Sequence, residues 1–244
     1  MRRAAAEPVE ERACPFGVCD GSGWVLDEAD GTVTSCRCRE QRIRRGRMHG
    51  VASVIPARYR GVSFDRPPVT EIDRNVVASI RSYLDSLEDN LAAGSSIWLM
   101  GETGTGKTTL AMLVSKRALE AGHSVAIYSL PKLLARIRRT YDAEAGEDSY
   151  LEFFERLTSV DLLHLDDLGA ERHSDWVIEQ LYSIINQRYE DGRSVIVTTN
   201  LDDELLGKQI GPRTVSRLVE MCAEHMLPIA GDDNRMTSGL RLAE

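Results

Sequence analysis

The stretch GETGTGKT, Gly101 to Thr108, follows the apolar run SIWLM and leads directly into TLAMLVSKRAL, whose apolar residues recur at helical spacing. A strand, a glycine-rich turn and a helix in that order form a concave loop at the end of a strand. Gly101, Gly104 and Gly106 let the backbone curl so that N–H groups point inward, and the helix N-terminus adds its positive dipole end. Such a concavity suits a polyphosphate. Lys107 is then placed for the β- and γ-phosphates and Thr108 for Mg²⁺, while Glu102, Thr103, Thr105 and Thr109 complete the loop. A glycine turn that merely precedes a helix is the bland alternative, and it does not require the full G-x-x-x-x-G-K-[ST] spacing.

The rest of the long section alternates helical patterns with short apolar runs: SIWLM (96–100), SVAIYSL (124–130), VDLLHL (160–165), SVIVTT (194–199) and HMLPIA (225–230). Short, mainly apolar runs such as these predict buried strands, hence an α/β class with a parallel sheet sandwiched by helices. Ahead of the first strand, Val77, Ile80, Leu84, Leu87 and Leu91 predict one helix face, closed by Gly94. Prolines at 56, 67 and 68 mark a joint. The reading divides the chain into an N-terminal cysteine module with a basic connector, 1–48, and an α/β domain, 49–244.

No segment reaches the length of a membrane span and no signal peptide is visible, so the expected location is the cytoplasm, with no membrane partner. A net charge of −8 argues against general coating of nucleic acid. Residues 36–47, CRCREQRIRRGR, hold six arginines against one glutamate, so contact with a polyanion would be local. The plain alternative is a solvated helix face.

VDLLHL delivers Asp166 and Asp167 at its end, where ligands gather in an open α/β sheet. Asp166 is expected to hold Mg²⁺ through water, and Asp167 to act as the general base that aligns a water on the γ-phosphate. An acidic helix N-cap in DDLG explains the same letters. Aspartate is one methylene shorter than glutamate, which predicts slow turnover. Asn200, ending SVIVTTN, is placed to sense the γ-phosphate or orient water, although an asparagine after a strand is commonly a turn residue.

Together GETGTGKT, LLHLDD, TTN and RTVSRL resemble the AAA+ ATPases of the ASCE P-loop group. Within them the chain resembles the bacterial replicative helicase loaders of DnaC/DnaI type, and it is similar to the IstB transposition ATPases, over about residues 50–235. DDLG and the stretch 212–222 narrow the likeness to that clade. The resemblance implies an ATPase that delivers the hexameric replicative helicase onto single-stranded DNA. It implies Arg217 as an arginine finger and Arg213 as its helper, reaching a neighbour's nucleotide within an ATP-dependent homo-oligomer. Arginines solvating an amphipathic helix are the alternative for both. Only 27 residues follow Arg217, which predicts a truncated lid, with Arg235 available for the lid arginine's role. The family also places a DNA-touching helix where PKLLARIRRTYDAEAGEDSYLEFFERL stands, making Lys132, Arg136, Arg138 and Arg139 the phosphate contacts and Tyr141 a stacking group. An ordinary amphipathic helix with Leu133, Leu134 and Ile137 inward accounts for the same residues.

Cys14, Cys19, Cys36 and Cys38 can close a tetrahedral Zn²⁺ site, with GSGWVLDEADGTVTSC between them as a glycine turn, a strand, a D-G turn and a second strand. Reduced unpaired thiols and a regulatory disulfide stay open. Cys222 reads as a small buried apolar residue. DnaI-type loaders look similar in their cysteine module, whereas IstB-type proteins carry a helical region there, so this module favours the loader. A transposition helper ATPase and a zinc-dependent DNA-binding adaptor that hydrolyses ATP weakly are the alternatives.

Overall fold

The computed structural model describes residues 14, 16–26, 32–39, 54–140, 150–170 and 174–231. The chain divides into two compact units, Met1–Gly50 and Val51–Glu244.

In the first unit β1 (Trp24–Leu26) pairs antiparallel with β2 (Val33–Ser35), Trp24 opposite Ser35 and Leu26 opposite Val33. The Cys36 N–H donates to the Gly23 carbonyl at 2.9 Å and brings the chain after β2 back beside the start of β1.

The second unit holds a sheet of β3 (Ile97–Met100), β4 (Val125–Ser129), β5 (Leu162–Leu168), β6 (Ser194–Thr199) and β7 (Met226–Pro228). Its order is β4-β5-β6-β3-β7 and every pairing is parallel. All five apolar runs read as strands are strands. Parallel neighbours need crossovers, and these are α3 (Lys107–Ala121), α4 (Leu130–Arg139), α5 (Tyr150–Ser159), α6 (Asp175–Glu190), α7 (Asp203–Ile210) and α8 (Pro212–Met221), preceded by α1 (Arg74–Asp85) and α2 (Leu87–Ala92).

Strand residues alternate between two cores, the expected consequence of a period of two in a sheet covered on both faces. Trp98, Leu163, Leu165, Val195 and Val197 pack with apolar side chains of α4 to α8. Ile97, Leu99, Leu162 and Ile196 pack with those of α1 to α3.

Two elements depart from the sequence reading. The expected single helix before β3 is split at Ser86, whose φ of −113° and ψ of 34° leave the helical region. Its inward face is Val76, Ile80 and Tyr83, then Leu87 and Leu91, with Val77 and Leu84 only half-buried. Asp73 sets that rotation by accepting from the N–H groups of Asn75 (2.8 Å) and Val76 (3.3 Å). The second departure is β5, which continues through both aspartates to Leu168, with a register shift between Leu165 and Leu168. Tyr141, Arg235 and the connector from 40 to 53 lie outside the described residues. Among the described residues no helix is long and apolar enough to cross a membrane.

Candidate functional site

The phosphate loop joins β3 to α3, and two of its glycines are required by their neighbours as well as by their dihedrals. Gly101 has φ 142°, and a Cβ there would collide with the Ile229 carbonyl at the end of β7. Gly106 has φ 99°, and a Cβ there would strike the Ile72 side chain. Lys107 is buried, and its ammonium donates to the carbonyls of Gly101 (2.8 Å) and Glu102 (2.6 Å). Thr105 donates to the Glu102 carbonyl as well, at 2.9 Å.

Sheet order then does what sequence spacing alone does not show. Because β6 lies between β3 and β5, the ends of both carry their polar residues to the same loop. The Thr108 hydroxyl donates to Asp166 Oδ1 at 2.8 Å, and the Thr198 hydroxyl donates to the same oxygen at 2.8 Å. Thr198 also accepts from the Asp167 N–H at 2.8 Å, and Asn200 Nδ2 donates to Asp167 Oδ1 at 3.2 Å. Asp167 has φ 62°, the one positive φ among the described non-glycine residues. Aspartate enters the left-handed region more readily than most residues, and such conformations collect at functional sites.

A cavity of about 750 Å³ opens over these groups, touching Gly104, Lys107, Thr108, Asp166, Asp167 and Asn200. It is also lined by Arg58, Tyr59, Pro67, Pro68 and Glu71, a segment that sequence reasoning treated only as a joint. Thr198 was missed too. The threonines of SVIVTT read as strand-forming residues, and nothing in the letters says that one faces an aspartate.

Behind the acids, His164 is fully buried, with Nδ1 3.0 Å from the Ser115 hydroxyl. Burial pushes its pKa down to about 4 although the Asp166 carboxylate acts in the opposite direction, so the ring is neutral at pH 7.

Arg213 and Arg217 both sit on α8, and neither lines the cavity. Arg217 lies over the Tyr189 ring at 4.1 Å, and the Tyr189 hydroxyl donates to Glu220 Oε1 at 2.6 Å. On α4 the two readings of the sequence occupy different faces. Leu133, Leu134 and Ile137 are buried, Lys132, Arg138 and Arg139 are exposed, and Arg136 is half-buried. Arg138 lies 4.7 Å over the Trp176 ring.

In the N-terminal unit the four thiols converge, all Sγ atoms lying within 4.8 Å of one another. Cys14 and Cys36 are 3.7 Å apart, Cys19 and Cys38 3.4 Å. Four thiolates about 2.3 Å from a zinc stand roughly 3.8 Å from each other, so the set fits Zn²⁺, and these spacings are far longer than an S–S bond of about 2.05 Å. The four-residue gap in CPFGVC is absorbed at Gly17, whose φ of 63° folds the loop so that its N–H reaches the Cys14 carbonyl at 3.0 Å. The Cys14 thiol is drawn down to about 6, foremost by the Cys19 amide, which outweighs the rise from burial. Cys222 is buried in the core, and burial raises its pKa.

A family model described as IstB-like ATP binding protein matches residues 35–240, which include the phosphate loop, both aspartates and Asn200. The chain belongs to the IstB-like ATP-binding family. Among relatives, the Escherichia coli K12 protein YdaV, itself uncharacterised, is 27% identical over 221 residues, 89% of this chain and 85% of that one. The E. coli K12 replicative helicase loader DnaC is 26% identical over 181 residues, 74% of this chain and 72% of DnaC. A crystal structure of the DnaC helicase loader superposes with a TM-score of 0.62 at 28% identity, covering 72% of this chain and all of that one. The IstB-family domain described above is therefore an ATP-binding domain of the AAA+, DnaC-like fold. Of the four clustered cysteines, only Cys36 and Cys38 fall within the family match.

Proposed function

We propose that this IstB-family protein is an ATP-driven loader that places a hexameric replicative helicase on single-stranded DNA in the cytoplasm. The observation that carries the reading is the likeness of the ATP-binding domain to DnaC, along the whole length of that structure.

The chain's own residues supply the steps. The loop N–H groups receive the polyphosphate, and Lys107 exchanges the Gly101 and Glu102 carbonyls for phosphate oxygens. Thr108 and Asp166, hard oxygen donors held together, would hold Mg²⁺, which neutralises charge on the β- and γ-phosphates when bound. Asp167, oriented by Asn200, takes the proton from the attacking water. Arg217, with Arg213 beside it, completes the site of a neighbouring protomer, since neither lines the cavity of its own. The exposed cations of α4, with Arg136, grip the DNA backbone, and hydrolysis is slow because the short Asp167 reaches its water less well than glutamate. Cys14, Cys19, Cys36 and Cys38 would hold Zn²⁺ and so shape the unit that meets the helicase. Phe16, Val18, Trp24 and Val33 are exposed there, which supports a docking face.

The test is a pull-down of purified cognate helicase in ATP and ADP in parallel. A complex that differs between the nucleotides is expected, and the absence of any nucleotide-sensitive complex overturns the reading. The family match itself favours a second reading, an IstB-type transposition helper, for which the capture of a transposase in place of the helicase would decide.

A further inference from the structure

His164 and Asp166 stand two residues apart on β5 and so share one face of the strand. Across from them on α3, Thr108 and Ser115 are seven residues apart, about two helical turns, and also share a face. Thr108 bonds Asp166 and Ser115 bonds His164, so two polar pairs connect the phosphate-loop helix to the acid-bearing strand. Only the outer pair belongs to the site described above. The inner pair is fully buried, although an apolar pair at these positions would avoid the cost of placing polar groups in the core.

The unused atom is informative. His164 Nε2 is buried without a hydrogen-bond partner, and it lies 3.9 Å from Asp166 Oδ1. An orphaned buried nitrogen in a native core calls for an explanation. On the neutral ring one nitrogen carries the hydrogen. A lone pair on Nε2 would oppose the carboxylate oxygen, whereas Nε2–H faces it favourably and leaves Nδ1 to accept from Ser115. The donor is then aimed at the acid, somewhat too far to bond.

We propose that His164 is a positioning residue for Asp166, its Nε2–H closing on the carboxylate and holding it in the orientation used for Mg²⁺. This rests on the reading of Asp166 as the magnesium-holding acid. Partners that orient a ligating carboxylate without touching the metal are worth 10- to 100-fold in metal affinity. Ser115 acts one step further back by fixing the tautomer.

The experiment measures binding of a fluorescent ATP analogue to the full chain, in EDTA and across a Mg²⁺ titration, for wild type, His164→Leu, His164→Gln and Asp166→Asn. In His164→Leu the Mg²⁺ midpoint should rise about tenfold or more while affinity in EDTA stays unchanged, which also shows that the variant is folded. Glutamine carries its amide N–H close to the position of Nε2 and should return the midpoint to within about threefold of wild type. An unchanged midpoint in His164→Leu overturns the proposal. So does an equal rise in the leucine and glutamine variants, or a loss of binding in EDTA, which would make the residue a packing element. If Asp166→Asn leaves the midpoint in place, the assignment of Asp166 fails first and the role of His164 falls with it. A shift in Asp166→Asn without one in His164→Leu removes only the positioning role.

Discussion

Asn200 Nδ2 donates to Asp167 Oδ1 at 3.2 Å, linking the end of β6 to the residue of β5 that adopts φ 62°. This conformation bears on why an aspartate stands there. Glutamate would reach further toward a water, but aspartate and asparagine tolerate the left-handed region best after glycine. Asp167→Asn therefore keeps the backbone and removes the base. Phosphate release measured with single-stranded DNA should fall by about 100-fold or more, with ATP affinity within about twofold of wild type. Asn200→Ala should cost less, about tenfold, since it frees the carboxylate without deleting it. Equal, background rates for wild type and Asp167→Asn would remove the enzymatic assignment.

Arg217 is the test of assembly. Its guanidinium rests on Tyr189, away from its own protomer's cavity. Arg217→Ala should leave ATP binding in place, abolish ATP-dependent assembly in sedimentation, and lower turnover by about 100-fold or more. Lys107→Ala should fail to bind ATP. A mixture of the two inactive variants should recover activity, because the arginine of the lysine variant can serve the intact site of the other. No recovery in the mixture, or unchanged assembly by Arg217→Ala alone, would refute action between protomers.

Much of the fold was legible because burial leaves a strong mark. Five short apolar runs alternating with helical patterns mark the strands of a parallel sheet, most plainly where β3, β5 and β6 are buried, and GETGTGKT names its own strand, loop and helix. Lateral order leaves no such mark. Nothing in VDLLHLDD or SVIVTTN says that β5 and β6 are neighbours, and that adjacency is what joins Thr198 to both aspartates. The Arg58–Tyr59 wall was hidden for a related reason, since a proline-flanked segment reads as a boundary until the chain is folded back over the loop. The split at Ser86 was missed because apolar spacing alone continues smoothly from Leu84 to Leu87.

Asp161 gives the fold a pH dependence of known sign. It accepts from the Ser124 N–H (2.9 Å) and hydroxyl (2.8 Å), with Arg193 at 3.1 Å and His123 at 3.8 Å, and so joins the entrances of β4 and β5. Burial raises its pKa, but the Ser124 hydrogen bonds together with His123 and Arg193 outweigh this and hold it below its ordinary value of 3.8. A depressed carboxylate contributes stability that is present above the unfolded pKa and lost as the pH falls through the folded one. Asp161→Asn should lower Tm by a few degrees at pH 7, less at high salt because the group is partly exposed, and the gap should close below about pH 4. A gap constant from pH 7 to pH 3 would count against the pairing.

The cysteine unit makes the strictest demand on a metal. Its two strands have three residues each, and a lone hairpin of that size is marginal in water. Cys36 and Cys38 are buried while Trp24 and Val33 are exposed and Val25 is half-buried, so thiols stand where a core would be. An ion bound by all four would tie both ends of the hairpin together, so that binding contributes to folding. The purified chain should carry one zinc per protomer, measured by elemental analysis, and Cys38→Ser should lose it. That variant, or a chelator, should leave the cysteine hairpin open to protease while the Val51–Glu244 unit still binds ATP. Helicase capture should disappear at the same point, because Val18, Trp24 and Val33 are presented only by the closed hairpin. Full protease resistance in metal-free protein would show that the cluster is four reduced thiols. Loss of zinc with helicase capture intact would move the docking face to the other unit.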